Sequence, residues 1–266
     1  MGLTPLASKP WIETDCELPR YHAHKLAERR RSGENVYRAD PASLGAQREL
    51  AALLYRHLTN DQAHWYERCG DALVYKPTEL ELPLAIDEPL WQAGLWIADD
   101  IVLMTPAGDD YVLAAATLCS PSHWRLSEKF NKPLAAVHRP IPGFDSELTP
   151  SVKRFLGHLK TTHPVVRYNW SLQSDDALHP DPDTSATIDP GTALFYRTER
   201  QSLLRLPESG AIAFTIRVYL HPLDSLAATP GALEALLRAI DNTPRQLAMY
   251  KGFDAMRTAL EKYRPA

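Results

Sequence analysis

Cysteine is scarce in this chain of 266 residues. Its three thiols, Cys16, Cys69 and Cys119, lie about fifty positions apart, and no CxxC pair occurs. Zinc sites and iron–sulfur clusters need closely spaced thiolates, so this spacing argues against either group being held by this chain alone. An odd and sparse set of thiols also argues against a small secreted domain stapled by disulfides.

Glycines are just as dispersed. No two of the twelve lie closer than twelve residues apart, so neither a GxGxxG dinucleotide fingerprint nor a Walker phosphate loop is present. The HExxH, GxSxG and EF-hand patterns are missing too. Without a nicotinamide-binding turn or cluster cysteines, the chain cannot collect electrons from NAD(P)H by itself. Any redox chemistry it performs therefore needs electrons from a partner protein.

Long apolar runs and a strong net charge are also missing. No apolar run approaches the roughly 18 residues that span a bilayer, and the N-terminus lacks the apolar segment of a signal peptide. A net charge of −4 gives no electrostatic reason to expect nucleic acid as a partner. The short basic run Lys25–Arg31 is predicted to be a solvated segment. We therefore expect a cytoplasmic protein that binds neither membrane nor nucleic acid.

Hydrophobic spacing organises the first half of the chain. The first 43 residues are polar and contain many prolines, which predicts an irregular arm. Leucines at helical spacing predict a helix over roughly Leu44–Cys69, in which His57 belongs to the core rather than to a ligand set. Two strand-like runs, Ile101–Met104 and Tyr111–Leu118, are joined by the turn sequence PAGDD, and together they predict a β-hairpin.

The second half contains three more strand patterns after a helix that begins at Thr149-Pro150. These are VRYNWSLQ (166–173), TALFYRTERQSLLRLP (192–207) and AIAFTIRVYL (211–220). Thr229-Pro230 and Thr243-Pro244 each begin a terminal helix. We predict an α+β fold with a five-stranded antiparallel sheet and helices on one face. Residues 1–94 form an N-terminal arm and helical segment, 95–223 the sheet core, and 224–266 the C-terminal helices.

Four sequence motifs resemble a known family when they are taken in order. They are LCSPSHWRLSEKFNKPLAAVHRPIPGF (118–144), RYNWS (167–171), ERQSLLRLP (199–207) and TIRVYLHPL (215–223). In this order, from about residue 95 to 223, the chain resembles the alpha subunits of haem-dependent oxidative N-demethylases. The resemblance implies a PAS-like fold that holds b-type haem and oxidises a small secondary amine such as dimethylamine with O2. It also implies flavin and iron–sulfur reductase components on other subunits.

Haem iron needs an axial donor, and neutral imidazole is a common one. His138 is our first choice for the iron ligand, because it follows a small apolar run and precedes Arg139-Pro140, where the chain should turn. The alternative interpretation is a histidine that only hydrogen-bonds a turn. His158 and His123 stay open as other candidates for the ligand, whereas His22 and His24 are predicted to be solvated.

Polar residues on the predicted strands are candidates for the rest of the site. Arg200 and Arg217 stand on strands that should line the pocket, where a guanidinium stabilises dioxygen as negative charge develops, or binds a haem propionate. A cross-strand ion pair with Glu199 or Glu208 is the alternative for either arginine. Asn169 is a further donor to the same place.

A dimethylammonium-type substrate is a small cation, which a carboxylate or an aromatic face binds. Glu199 is the candidate carboxylate, although a one-residue slip in strand register would exchange it for Arg200. Trp170, Tyr196 and Tyr219 are the candidate aromatic residues, and Trp170 is equally plausible as a core residue.

The resulting prediction assigns seven residues to the site. The catalytic residues are Arg200, Glu199 and Asn169, and the haem contacts are His138, Trp170, Arg217 and Tyr219, with His138 on the iron. Two other functions remain open: a haem-binding sensor or carrier that needs no substrate, and a PAS-like interaction module without a cofactor.

Overall fold

The computed structural model describes residues 2–6, 9–84, 87–122, 125–138, 149–180 and 188–264, with the side chains of His138 and Thr149 left out. Its main sheet is antiparallel, with strands in the order β1-β8-β9-β10-β6-β7-β2, and a small sheet has the order β3-β4-β5. The strands are β1 (Thr4–Pro5), β2 (Tyr37–Ala39), β3 (Tyr66–Cys69), β4 (Ala72–Tyr75), β5 (Leu80–Pro83), β6 (Asp100–Ala107), β7 (Asp110–Thr117), β8 (Val165–Gln173), β9 (Phe195–Arg205) and β10 (Ile212–Pro222).

The main sheet corrects the expected PAS-like count of five strands to seven among the described residues. The five predicted strands are present as β6 to β10 and are neighbours in the sheet. The two additional strands extend its edges, where β1 pairs with β8 and β2 pairs with β7. Strands of two and three residues are too short for an alternating pattern, so hydrophobic spacing does not reveal them.

Helices pack around this sheet. They are α1 (Leu18–Ser32), α2 (Leu44–Arg56), α3 (Pro89–Leu95), α4 (Leu126–Lys129), α5 (Leu134–His138), α6 (Thr149–His158), α7 (Leu223–Leu226), α8 (Ala232–Asp241), α9 (Arg245–Tyr250) and α10 (Phe253–Leu260). Within the described ranges, no helix combines the length and the apolar character that crossing a membrane requires.

The N-terminal arm is not irregular, because a helix of fifteen residues, α1, runs through it. The buried face of α1 consists of Leu18, Tyr21, Lys25 and Glu28, which follow helical spacing but are half polar. Hydrophobic periodicity therefore fails to detect this helix. Lys25 is also fully buried rather than solvated, and its ammonium group donates to the backbone oxygens of Gly94 and Ile97 at 2.8 and 3.1 Å.

Two other helix predictions differ from the structure at their ends. The helix expected over Leu44–Cys69 stops at Arg56, and a wide turn leads into β3. His57 in that turn is buried as expected, and its Nδ1 lies 2.7 Å from an Asp61 carboxylate oxygen. The last predicted helix is divided into α9 and α10 because Gly252 adopts a φ of +72°, which glycine tolerates and a helix does not.

The sheet has a helical cover on both faces, not on one as expected. One face, here called the cavity face, carries Ile216, which lines the same cavity as Val137 of α5 and Phe155 of α6. The opposite face carries Arg217, whose guanidinium lies 3.9 Å from the ring centre of Tyr21 on α1. We call this second face the N-terminal face, because the segment of residues 10–15 and α1 pack against it.

The helix α3 packs closely against the sheet at Gly94, where a larger residue would not fit without a shift. A Cβ on Gly94 would lie 2.7 Å from Cγ2 of Thr117, whereas a Cβ on Gly45 in α2 meets nothing within 4 Å. We expect Gly94→Ala to lower the free energy of unfolding by about 1–3 kcal/mol, because the core must shift to admit the methyl group. Gly45→Ala, the matched control, should be neutral or stabilising by up to about 1 kcal/mol. Urea unfolding of both variants measures this, and equal stabilities would contradict the packing described for α3.

Candidate functional site

A cavity of about 450 Å³ lies between the cavity face of the sheet and the helices α5, α6 and α9. This volume is within the range of pockets that bind small molecules and cofactors. The cavity has two chemically different halves, because the inward side chains change from apolar to polar across the sheet.

The apolar half lies over β6 and β10. Phe214 pairs with Val102 on one side and Leu203 on the other, and these three side chains form an apolar row beneath the cavity. The helices α5 and α6 form the opposite wall, from which Leu134, Val137, Val152, Phe155 and Leu156 line the cavity. Two facing apolar walls provide a dry slot for a flat apolar group.

The polar half lies over β8 and β9. In the register of these strands Asn169 is opposite Glu199 and Arg167 is opposite Gln201, and all four residues line the cavity. The helix α9 covers this half with Leu247, Tyr250 and the following residue, Lys251. The C-terminal helices are therefore part of the site.

Glu199 is the central group of the polar half. Its side chain is almost fully buried and accepts hydrogen bonds from Arg197 Nε at 3.1 Å, Gln201 Nε2 at 3.0 Å and Asn169 Nδ2 at 3.3 Å. Arg197 is itself buried and also donates to the backbone oxygens of Ser120 and Leu178. Three donors and one compensating cation hold this carboxylate in a fixed position.

Two further cations line the cavity without an ion pair to any described carboxylate, Arg167 and Lys251. Lys251 donates to the backbone oxygen of Trp170, and its ammonium nitrogen lies 4.5 Å from the centre of the Trp170 ring. Burial lowers the pKa of Lys251 and of Arg167, while the Glu199 carboxylate acts in the opposite direction on both. Both groups are therefore partly desolvated cations near one carboxylate.

Trp170 lines the cavity and also belongs to an apolar cluster. Its ring stacks on Phe253 of α10 with the ring centres 5.4 Å apart, and Tyr196 lies 6.3 Å away. These rings connect β8 and β9 to the C-terminal helices. Trp170 is therefore both a pocket residue and a core residue, the two alternatives considered for it.

The structure brings three of the predicted site residues together: Asn169, Trp170 and Glu199 all line the cavity. Arg200, Arg217 and Tyr219 lie on the N-terminal face instead, since Arg200 is opposite Arg217 in the register and Glu199 is opposite Val218. The strand register therefore directs the side chain of Glu199, and not that of Arg200, towards the cavity.

On the N-terminal face these three residues bind the segment 10–15. Arg200 donates to the backbone oxygens of Pro10 and Trp11 at 2.7 and 2.9 Å, and its Nε lies 2.9 Å from Glu13. Arg217 donates to both carboxylate oxygens of Asp15, at 2.9 and 2.8 Å. The Tyr219 hydroxyl donates to Glu13 at 2.7 Å. Each of these two buried arginines therefore has a carboxylate partner within the chain, which offsets part of the cost of burying its charge.

The candidate axial histidines have different positions. His138 is the last residue of α5, directly after the cavity-lining Val137, but its side chain is outside the described part, and His123 is outside it altogether. His158 is exposed at the end of α6, where its Nδ1 lies 2.7 Å from the Arg154 carbonyl. It does not line the cavity.

The paired histidines of α1 are not solvated as predicted. His22 and His24 are half-buried, and their rings lie 3.1 and 2.8 Å from the backbone oxygens of Leu95 and Cys119. Burial lowers the pKa of both imidazoles.

Four cavity residues were missed by sequence reasoning: Arg167, Gln201, Tyr250 and Lys251. The first two share the period of two with Asn169 and Glu199, so alternation along β8 and β9 is a signal that identifies them. No comparable signal points to Tyr250 and Lys251. They reach the cavity because the chain breaks at Gly252, which the sequence pattern alone did not reveal.

A second hollow of about 460 Å³ lies among the C-terminal helices. Its charged walls largely neutralise each other, as Arg264 pairs with Asp241 at 2.6 Å and Arg257 with Asp254 at 2.9 Å. The cavity on the sheet has unpaired cations and apolar walls instead, so it is the better candidate for a ligand site.

A model of the family described as haem-dependent oxidative N-demethylase, alpha subunit-like, matches residues 2–261. The chain belongs to this family. The match includes the segment 10–15 and the helices α9 and α10, which lie outside the motifs of residues 95–223. The family description indicates dependence on haem and an oxidative function, and the term alpha subunit implies that other subunits exist.

The residues of the cavity fit a haem group by their chemistry. The two apolar walls suit the porphyrin ring, and the cations Lys129, Arg167 and Lys251 suit a ligand that carries carboxylates. No histidine is found among the described residues that line the cavity, but His138 follows Val137, which does.

Asp99 is the buried acid behind the arginines of the N-terminal face. It is fully buried, and this burial raises the pKa of its carboxyl to about 6, although Arg217, Arg200 and Lys25 favour the charged form. Between about pH 4 and pH 6 the folded protein therefore holds this proton more tightly than the unfolded chain does, so stability is lost as the pH rises through this window.

We expect Asp99→Asn to remove this pH dependence. The free energy of unfolding of the wild type, relative to that of the variant, should fall by up to about 3 kcal/mol between about pH 4 and pH 7. Urea unfolding across this range measures the difference, with the exposed Asp176→Asn as the control. Parallel stability curves for the wild type and Asp99→Asn would contradict the raised pKa.

Proposed function

We propose that this protein is the haem-binding catalytic subunit of an oxidative N-demethylase, which removes a methyl group from a small secondary amine. The observation that carries the proposal is a single cavity in which an apolar slot adjoins a buried carboxylate, Glu199, beside the aromatic ring of Trp170. Family membership supplies the reaction class, and the cavity supplies groups suited to an amine.

The reaction must balance in atoms and electrons. A secondary N-methylamine, dioxygen, two electrons and two protons give the demethylated amine, formaldehyde and water. Haem b supplies the iron at which dioxygen is reduced. The two electrons come from a separate protein, because this chain has no nicotinamide-binding turn and no cysteine pairs for a cluster. The family resemblance implies that this reductase carries flavin and iron–sulfur groups.

The protein's own contribution is binding, orientation and exclusion of water. Glu199 accepts a hydrogen bond from the amine, and Asn169, Gln201 and Arg197 keep its carboxylate aimed at the cavity. Trp170, whose ring stacks on Phe253, lines the cavity beside Glu199. Oxidation of the methyl carbon yields a carbinolamine, which breaks down to formaldehyde and the shorter amine.

The remaining predicted residues divide between the two faces. His138, at the end of α5, would provide the imidazole that holds the haem iron. Arg200, Arg217 and Tyr219 have the role of fixing the segment 10–15 to the sheet, since each already binds a group of that segment. We therefore assign catalysis to the cavity face.

The absorption spectrum of the purified protein tests the cofactor and its ligand together. We expect a Soret band in the wild type and in His158→Ala, and its loss or a marked shift in His138→Ala, because only the last variant removes the iron ligand. An unchanged spectrum in His138→Ala would contradict the axial assignment. A colourless wild type that takes up no added haem would overturn the proposed function.

Glu199→Gln tests the amine site. Loss of the charged acceptor should raise the dissociation constant of dimethylamine about tenfold or more, since a hydrogen bond to a charged group contributes about 1.5–3 kcal/mol. Amine-dependent change of the haem spectrum measures binding, and the exposed Glu208→Gln is the control. A haem spectrum that does not respond to amines even in the wild type would instead indicate a sensor or carrier.

A further inference from the structure

We propose that Arg167 and Lys251 form a carboxylate-binding site within the cavity, so that the substrate is an N-methylated amino acid rather than a simple dialkylamine. The inference rests on the proposed function, whose substrate class it names. It begins from the charges that the protein leaves without partners inside the cavity.

The polar half of the cavity carries more positive than negative charge. In the described part of this half, the cations of Arg167, Arg197 and Lys251 face the one carboxylate of Glu199. Arg197 pairs with Glu199 at 3.1 Å, which leaves two cations in excess. A bare dialkylammonium ion would enter a region that already repels it, because like charges in a partly desolvated site interact strongly.

Neither excess cation has a carboxylate partner among the described residues. The Nε atom of Arg167 is buried without a hydrogen bond, and the acceptor of the Lys251 ammonium is the backbone oxygen of Trp170. Desolvated cations are costly unless an anion accompanies them. A carboxylate brought by a ligand would offset this cost at both groups.

The two cations line the same half of the cavity. The charge of Arg167 acts on Lys251, and both respond to the same carboxylate, Glu199. On the other side of Lys251 lies the face of Trp170, 4.5 Å from the ammonium nitrogen. The site therefore presents an anion, an aromatic face and two cations within one half of the cavity.

This arrangement of charges is more complementary to a zwitterion than to the two negative charges of the haem propionates. The ammonium group of an N-methylated amino acid pairs with Glu199, and its carboxylate meets Arg167 and Lys251. Haem propionates share the carboxylate chemistry, but they offer a partner only to the cations, whereas the zwitterion also brings a positive group to Glu199. We therefore assign these cations to the substrate.

Dimethylamine and N-methylglycine form a matched pair of probes, because the second is the first with one hydrogen replaced by a carboxylate. Titration of the haem-loaded wild type, followed by its absorption spectrum and by calorimetry, should show at least about tenfold tighter binding of N-methylglycine. Arg167→Gln and Lys251→Gln should abolish this preference while binding of dimethylamine stays equal or improves.

Several variants separate a binding role from a structural one. Arg167→Lys and Lys251→Arg keep the charge and should retain most of the preference for N-methylglycine. The exposed Lys160→Gln should behave as the wild type in every assay. The haem content of each purified variant, measured beside its thermal midpoint, shows whether the substitution has disturbed the cofactor or the fold.

The possible results distinguish the inference from the proposed function. If Arg167→Gln and Lys251→Gln lose haem but keep the preference between the two probes, the cations bind propionates and the inference is wrong. If neither haem content nor preference changes, they bind no carboxylate, and it is wrong again. A wild type without haem would instead overturn the proposed function.

Discussion

The pairing of β9 with β10 decides which charges this protein places in its cavity. Glu199 lies opposite Val218 on the cavity face, and Arg200 lies opposite Arg217 on the N-terminal face. Because the side-chain period of a strand is two, a shift of β9 by one residue would exchange the carboxylate of Glu199 for the guanidinium group of Arg200. The carboxylate of Glu13 lies on the N-terminal face, so Arg200 has a carboxylate partner in this register and would lose it in the shifted one.

Both ends of the chain are needed to complete the sheet. The segment 10–15 covers the buried arginines, and the helix α9 together with Lys251 covers the polar half of the cavity. An isolated core of residues 95–223 would expose these arginines on one face and Glu199 on the other. The family match over residues 2–261 agrees with this physical dependence, because it includes both covering segments.

Much of the sheet and half of the site could be predicted from the sequence. Apolar runs on either side of a turn sequence identified β6 and β7, and alternation identified β8 and β10. Asn169 and Glu199 were both assigned to the site, although the register that places them opposite each other was left open. The helix α1 escaped because its buried face includes Lys25 and Glu28, whose partners are distant in sequence. Lys251 escaped because its position depends on the left-handed Gly252 and on stacking between Trp170 and Phe253. Such tertiary contacts produce no periodic pattern in the sequence.

The cations of this protein fall into two groups: those with a carboxylate partner within the chain, and those that remain available to a ligand. Arg200, Arg217 and Arg197 are fully buried, and each has a carboxylate partner within the chain, so a ligand gains little by approaching them. Arg167 and Lys251 are also desolvated, but the described chain supplies no carboxylate for either. In a cavity with apolar walls, water compensates them poorly, and their attraction for an anion is correspondingly strong. The selectivity of the cavity should therefore follow from the charges that folding leaves unpaired, and not from those that folding has already used.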